Sequence, residues 1–151
     1  MKVRLAKIKD KKAVLKVLDQ LGEEIKKLNP SYSFESAQKV GGKIFEDIVR
    51  RKDCLIFVAE DNTSIVGVAT LYILPNIRHG WYRGHVEDFI VSKKERGKGV
   101  GTALFHEVKK YCKNNGIKVI KLDSGLELKN AHKFYEKNGG RFTEKMFRFD
   151  L

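Results

Sequence analysis

The chain has 151 residues, 42% of them hydrophobic and 33% charged, which suits one domain with a real hydrophobic core and excludes a disordered chain. No apolar run is long enough for a membrane span, and the basic start MKVRLAKIKDKK lacks the apolar centre and cleavage site of a secretory signal, so no membrane partner and a cytoplasmic location are expected. The formal charge of +12 favours acidic partners, but the lysines are spread along the chain without a basic block, so a solvated surface explains most of the charge and specific nucleic-acid binding is not expected.

In chain order, the alternation from Lys2 to Ile8 predicts a first strand. Asp10 is placed to cap a helix whose apolar positions are Val14, Val17, Leu18, Leu21, Ile25 and Leu28, and Asn29-Pro30 ends it. A second helix starts at Ser33 or Ser36 and buries Ile44, Phe45, Ile48 and Val49, with a kink or break at Gly41-Gly42. Cys54 to Glu60 and Ile65 to Leu74 read as a hairpin around Asp61 to Ser64. Pro75 to Tyr82 reads as a loop and Arg83 to Ser92 as a fourth strand. Thr102 to Asn115 is an amphipathic helix with Gly116 at its stop. Ile117 to Asp123 alternates as a fifth strand, Leu128 to Asn138 is a short helix closed by Gly139-Gly140, and Arg141 to Leu151 supplies a last strand or two. The order fits one α/β domain with a mixed sheet.

The stretch ERGKGVGTAL places Gly97, Gly99 and Gly101 at alternate positions between a strand and a helix. Such a loop lets backbone N–H groups approach a ligand, and the helix adds its N-terminal partial charge, which together suit a phosphate or pyrophosphate. A nucleotide P-loop requires Ser or Thr directly after Gly-Lys, and Lys98 is followed by Gly99. A dinucleotide fingerprint requires Gly-x-Gly-x-x-Gly, and although Asp123 lies at a tempting distance the spacing is Gly-x-Gly-x-Gly. Cys54 and Cys112 are far apart and read as two partly buried free thiols. The four histidines form no close cluster with cysteines or acids, so no metal site is expected.

VSKKERGKGVGTAL resembles the acetyl-CoA motif of the GNAT family of N-acetyltransferases, Arg/Gln-x-x-Gly-x-Gly/Ala after a hydrophobic strand, matched here by Arg96, Gly99 and Gly101. The run from Asn130 through Phe134-Tyr135 to Gly139 resembles the family's second signature, with one helix and one strand between the two. One departure is Gly139-Gly140-Arg141-Phe142, where the family has an aromatic directly after the glycine; this leaves the geometry of the last hairpin open. The resemblance implies a single domain over residues 1–151: an α/β fold with a mixed, mostly antiparallel sheet of six to seven strands, about four helices, and a splayed strand pair forming the acetyl-CoA cleft.

Acetyl transfer needs a neutral amine, a held thioester, oxyanion stabilisation and a proton for the leaving thiolate. By resemblance the backbone of Gly97, Lys98, Gly99, Val100 and Gly101 holds the pyrophosphate, aided by the Thr102 hydroxyl and by charge from Arg96 and Lys98. The backbone of Phe89, Ile90 and Val91 pairs with the pantetheine arm and supplies the oxyanion donor. Tyr135 is the expected general acid, Phe134 packs beside it, and Asn130 caps its helix or bonds the cofactor arm. The adjacent acids Glu87 and Asp88 break an otherwise apolar strand, which calls for partners or a cleft. With strict alternation Glu87 shares a face with Phe89 and Val91, and Asp88 with Val86 and Ile90. Glu87 is the expected base, directly or through water, and Asp88 orients substrate or is structural.

The expected reaction is direct attack of a primary amine in a ternary complex, on a small amine or amino sugar. The fourth strand and glycine loop look like those of both polyamine and glucosamine-phosphate acetyltransferases, and the basic chain mildly favours a phosphorylated acceptor. Acceptor-binding segments are expected at Leu28 to Phe34, including Tyr32, and at Pro75 to Tyr82. Trp81 and Tyr82 either stack on substrate or bury at a homodimer interface. A protein or peptide N-acetyltransferase of the same fold and a non-enzymatic basic nucleic-acid-binding module are the competing readings, with a nucleotide-dependent oxidoreductase behind them.

Overall fold

The computed structural model describes residues 1–151. Strands β1 (Lys2–Leu5), β2 (Cys54–Asp61), β3 (Ser64–Asn76), β4 (Trp81–Val91) and β5 (Ile120–Leu122) form one open sheet in sequence order. The first three pairings are antiparallel and β4–β5 is parallel. Helices α1 (Lys11–Leu28), α2 (Ala37–Val40) and α3 (Gly42–Arg50) precede β2, α4 (Val100–Asn114) joins β4 to β5, and α5 (Lys129–Lys137) follows β5. No helix is long and apolar enough to cross a membrane.

Alternation along the strands divides the core into two layers. Phe57, Ala59, Ala69, Leu71 and Val86 bury against Leu104, Val108 and Cys112 of α4. Ile56, Val58, Val68 and Ile90 bury against Val14 and Val17 of α1 and Phe45 and Ile48 of α3. Cys54 and Cys112 are buried free thiols in opposite layers, and burial pushes the Cys112 pKa up to about 11.

Four expectations are corrected. The first strand stops at Leu5 because Ile8–Asp10 winds into a 3-10 turn, and Asp10 does not cap α1: its carboxylate accepts from Lys7 N and from the Arg4 guanidinium, which holds it below the usual carboxylate range. Half of the expected loop Pro75 to Tyr82 is strand, with Pro75↔Tyr82 and Asn76↔Trp81 in register, and the turn proper is Ile77–His79 and Gly80. Pro75 is tolerated because β2 has already ended at the Cys54↔Tyr72 pair, so β3 is an edge on that side. The second helix breaks at Gly41 into α2 and α3, as the glycine pair predicts, and the count becomes five helices rather than about four.

The sheet has five strands rather than six or seven. Residues 141–151 carry a strand pattern but lie exposed, outside the sheet. A strand needs a neighbour for its N–H and C=O groups, and β5 offers a three-residue edge.

The segment after α1 is fixed by two devices. The buried Asp19 carboxylate accepts from Ser36 Oγ, Ala37 N and Gln38 Nε2; burial opposes its charge, but these donors hold it below the usual range. Gly22 lets the Phe34 ring close over α1, since a Cβ there would lie 2.0 Å from Phe34 Cε2. Gly22→Ala should therefore forfeit the ~1 kcal/mol that alanine usually gains in a helix. Overpacking costs about 1–3 kcal/mol, so urea unfolding should show a net loss of roughly 1 kcal/mol. A gain would show that Phe34 does not dock on α1.

Candidate functional site

Strands β4 and β5 pair only at Gly84↔Ile120, His85↔Lys121 and Val86↔Leu122, while β4 runs on to Val91. The two strands therefore part after Val86, leaving the far edge of Glu87 to Val91 without a strand partner. A bulge sits where they part. Leu71 pairs with Val86 and Ala69 with Phe89, so Thr70 alone faces both Glu87 and Asp88. The Thr70 hydroxyl locks it, accepting from Asp88 N at 2.8 Å and donating to Asp88 Oδ2 at 2.9 Å.

The bulge overturns the strict alternation read from the sequence. Val86 lies on the α4 side, and after the extra residue Phe89 and Val91 return to that side. Glu87 lines a hollow with Tyr72 and His85 on the opposite side, and does not share a face with Phe89. One extra residue carries no composition signal, so only cross-strand register shows it.

On the α4 side the glycine loop meets the helix. Gly97 (φ 77°) and Gly99 (φ 82°) are left-handed, the region where glycine has no steric penalty. The helix begins at Val100, not Thr102, with Gly99 at the cap position and no side-chain cap. Its first N–H groups lack intrahelical carbonyls and point out of the helix end. Gly101 packs on Phe134 and Val91, where a Cβ would sit 3.4 and 3.6 Å from their carbons.

Phe89, Phe105, Phe134 and Tyr135 form an aromatic cluster beside this loop. Phe89 stacks on Phe134 with centroids 5.3 Å apart, and Tyr135 meets the edges of Phe89 at 6.2 Å and Phe134 at 5.5 Å. Burial pushes the Tyr135 phenol up to about 12, so it carries its proton throughout the neutral range. Just past β5, Ser124 Oγ is buried without a hydrogen-bond partner.

On the other face, Tyr72, Leu74, Arg83, His85 and Glu87 line an open hollow of about 470 Å³. His85 Nε2 lies 3.1 Å from Glu87 Oε2 and 3.8 Å from Asp123 Oδ2. Arg83 is half-buried and makes neither a hydrogen bond nor an ion pair, and its charge is felt by the Glu144 carboxylate, which it helps hold below the usual range. Sequence reading passed over Arg83 and Ser124, set His85 only near the substrate entrance and weighed Asp123 only as a dinucleotide acid: the place of Arg83 and His85 beside Glu87 is visible only through their shared strand face, that of Asp123 and Ser124 only through the partnership of β5 with β4.

Phe89, Phe134, Tyr135 and Gly101 come together, with the loop around them. Others point elsewhere. Arg96 donates to Val91 O at 2.8 Å and pairs with Glu24 of α1, and Lys98 pairs with Glu95. The Ile90 side chain is buried in the α1 layer, which leaves the expected role of its backbone untouched, and Thr102 is exposed in the first turn of α4, open to a ligand. Asn130 is exposed in the first turn of α5, whose cap position is Leu128, so it does not cap that helix. Trp81 stacks on His79, and Tyr82 turns to a second hollow with Leu55, Tyr111 and Ile117. Tyr32 lies after α1, where its carbonyl accepts from Lys26.

Asp88 gives a stability test. Burial holds its carboxyl above the usual range, against the Thr70 hydrogen bond and together with the nearby Glu87 charge. A raised carboxyl favours folding while protonated; that contribution is lost as pH rises through its folded pKa, so at pH 7 the carboxylate costs stability. Asp88→Asn should raise the urea midpoint at pH 7, with the advantage over the parent shrinking toward pH 4. An equal advantage at both pH values would disprove the desolvation argument.

Residues 21–140 match the acetyltransferase (GNAT) family. The chain is 36% identical over 97 residues to a glucosamine 6-phosphate N-acetyltransferase from Trypanosoma brucei brucei, covering 64% of each chain. It is 24% identical over 88 residues to an aminoalkylphosphonate N-acetyltransferase from Salmonella typhimurium, covering 58% of this chain and 56% of that one. In each case it spans less than two thirds of the relative's length. A solved Bacillus halodurans protein superposes over the full length of both chains with a TM-score of 0.87 at 20% identity, a likeness of fold. The chain belongs to the GNAT family of acetyltransferases.

Proposed function

We propose that residues 1–151 act as one domain that transfers an acetyl group from acetyl-CoA to a small primary amine bearing a phosphoryl or phosphonate group. The observation that carries the transfer reaction is the parting of β4 and β5 beside an α4 N-terminus that no side chain caps. Backbone N–H groups from Gly97 to Gly101 suit a pyrophosphate, and the free edge of Phe89 to Val91 suits an amide-bearing arm and a polarised thioester carbonyl. Ser124 Oγ, otherwise orphaned, gains a partner if the arm passes it.

The acid and base flank β4 from opposite faces. The amine nitrogen gives a proton to Glu87, directly or through water, and attacks the thioester carbon. As the tetrahedral intermediate collapses the C–S bond breaks, and the thiolate takes the Tyr135 proton. His85, between Glu87 and Asp123, fixes the direction of the Glu87 carboxylate.

The acceptor class rests on Arg83 and on the two relatives, whose names both specify an amine with a phosphorus anion. Arg83 and Glu87 are about 13 Å apart along the strand at roughly 3.3 Å per residue, a span their side chains shorten from both ends. Calorimetric titration with acetyl-CoA, with NADH and a DNA duplex as controls, should show saturable binding of acetyl-CoA alone. Thiol release should then be faster with glucosamine 6-phosphate or 2-aminoethylphosphonate than with glucosamine, and Arg83→Ala should raise KM only for the anionic acceptors. A folded protein that does not bind acetyl-CoA would end the proposal. Equal KM changes for glucosamine and its phosphate would end the role of Arg83.

A further inference from the structure

We propose that the acceptor is a primary amine linked through a diphosphate to a nucleoside, with the phosphates on Arg83 and Arg78 and the base stacked on Trp81. The inference rests on the acetyl-transfer reading for the amine end, and extends the same strand face past Arg83.

Strands β3 and β4 run beyond both of their neighbours. Strand β2 ends at the Cys54↔Tyr72 pair and β5 begins at Gly84↔Ile120, so Leu74 to Arg83 stands out as a two-stranded ribbon. An isolated ribbon of this kind is marginal in water, so its length calls for a use. On β4, Trp81, Arg83, His85 and Glu87 occupy alternate positions ahead of the bulge and share one face. Cross-strand pairing agrees. Arg83 opposes Leu74 and His85 opposes Tyr72, both pairs lining the hollow beside Glu87, and Trp81 opposes Asn76 one step further out. From Glu87 outward the face therefore offers a proton acceptor, a guanidinium and an aromatic plane. At about 3.3 Å per residue Arg83 lies roughly 13 Å from Glu87, and Trp81 a further ~7 Å on. The matching ligand carries an amine, an anion and a flat ring in that order.

The plane is held in place. The His79 ring stacks on Trp81 with centroids 5.2 Å apart and planes 23° apart, and Trp81 is half-buried, so part of the indole stays open. A nucleobase suits such a platform because every base has a π-face. The charge points to more than one phosphate. From Asn62 to Val86 the chain holds no acid, and its only formal charges are Arg78 and Arg83. Glu144 is held below the usual carboxylate range by Lys121 first, and by Arg83 and Arg78 as well, so both guanidiniums act on one anionic position. One guanidinium suffices for a monoester; two beside a lysine suit a diphosphate. This place is separate from the glycine loop, since Trp81 opens β4 and Val91 closes it, roughly 33 Å apart at about 3.3 Å per residue. The chemistry stays at the amine: the nitrogen gains the acetyl carbon, the C–S bond breaks, and no bond of the diphosphate changes.

Trp81 is the chain's single tryptophan, so its fluorescence reports this site alone. CDP should quench it saturably, and inorganic pyrophosphate should displace CDP without quenching. Thiol release from acetyl-CoA should then be compared with ethanolamine phosphate and CDP-ethanolamine, which differ only in the nucleoside monophosphate unit. Stacking of one base should raise kcat/KM for the second by about 10–100-fold. Trp81→Ala should bring the ratio of the two substrates close to one, and Trp81→Phe should keep most of it. Arg78→Ala, at an exposed position outside the strand ladder, should lower the ratio with far-ultraviolet dichroism unchanged. A parent that acetylates ethanolamine phosphate but shows no quenching by CDP, or equal kcat/KM for the two amines, overturns the nucleotide site and leaves acetyl transfer standing. Quenching by CDP in a protein that acetylates no amine overturns both readings. Quenching by a single-stranded oligocytidine and not by CDP also overturns the proposal, making the ribbon a nucleic-acid contact.

Discussion

Tyr135→Phe is expected to lower kcat by about 10²–10⁴-fold, the usual contribution of a positioned general acid, with acetyl-CoA affinity nearly unchanged. Affinity should hold because the ring does the packing: Tyr135 meets Phe89, Phe105 and Phe134 through its ring edge and face, and a phenylalanine ring keeps those contacts. Only the hydroxyl is lost, and no hydrogen bond within the chain depends on it. A phenol pushed up to about 12 is fully protonated at neutral pH and matches a thiolate as proton acceptor better than a carboxylic acid does. Steady-state kinetics with calorimetry in parallel separates the outcomes. A fall in kcat with an unchanged Kd assigns the proton to Tyr135. Turnover equal to the parent across pH, with chemistry limiting, removes it from the reaction. A loss of affinity instead would make the hydroxyl a cofactor contact. Glu87→Gln complements it: by removing the proposed base on the other face of β4, it should lower kcat.

The parts of this site that were legible in the sequence are those set by local rules. Alternate glycines before an amphipathic helix specify a left-handed turn and an uncapped helix start, which Gly97 and Gly99 form. Phe134-Tyr135 on a short helix is likewise a local pattern, and its neighbours in the aromatic cluster follow from the strand and helix faces. What stayed hidden depends on pairing between distant segments. Thr70 opposing both Glu87 and Asp88 is a property of two strands in register, and it decides which face the expected base occupies. The His85–Glu87–Asp123 group requires β5 to lie parallel to β4. Arg96 illustrates the converse: its match to a motif placed it at the cofactor, whereas its guanidinium fastens the end of β4 to α1 through Val91 O and Glu24. Residues 141–151 show that a strand pattern specifies a strand only where a partner edge is available to it.

The larger binding effect is expected at Gly99→Val, which should weaken acetyl-CoA affinity by about 100-fold, close to 2.7 kcal/mol. Gly99 holds φ 82° at the cap position of α4, and its carbonyl accepts the Ala103 N–H at 3.0 Å. A β-branched residue in that conformation costs on the order of 1–3 kcal/mol in strain. The protein itself leaves space for the side chain, since nothing lies within 4 Å of a Cβ there. Stability should therefore fall by no more than the strain, while valine methyls project over the N–H groups proposed for the pyrophosphate. Gly116 provides the control: it also has positive φ and an open Cβ position, at the far end of α4. Gly116→Val should bring a comparable stability loss and leave acetyl-CoA affinity intact. If the two variants weaken binding equally, the effect is global strain and the loop is not the cradle; if only Gly99→Val does, the ligand's phosphates lie at the start of α4.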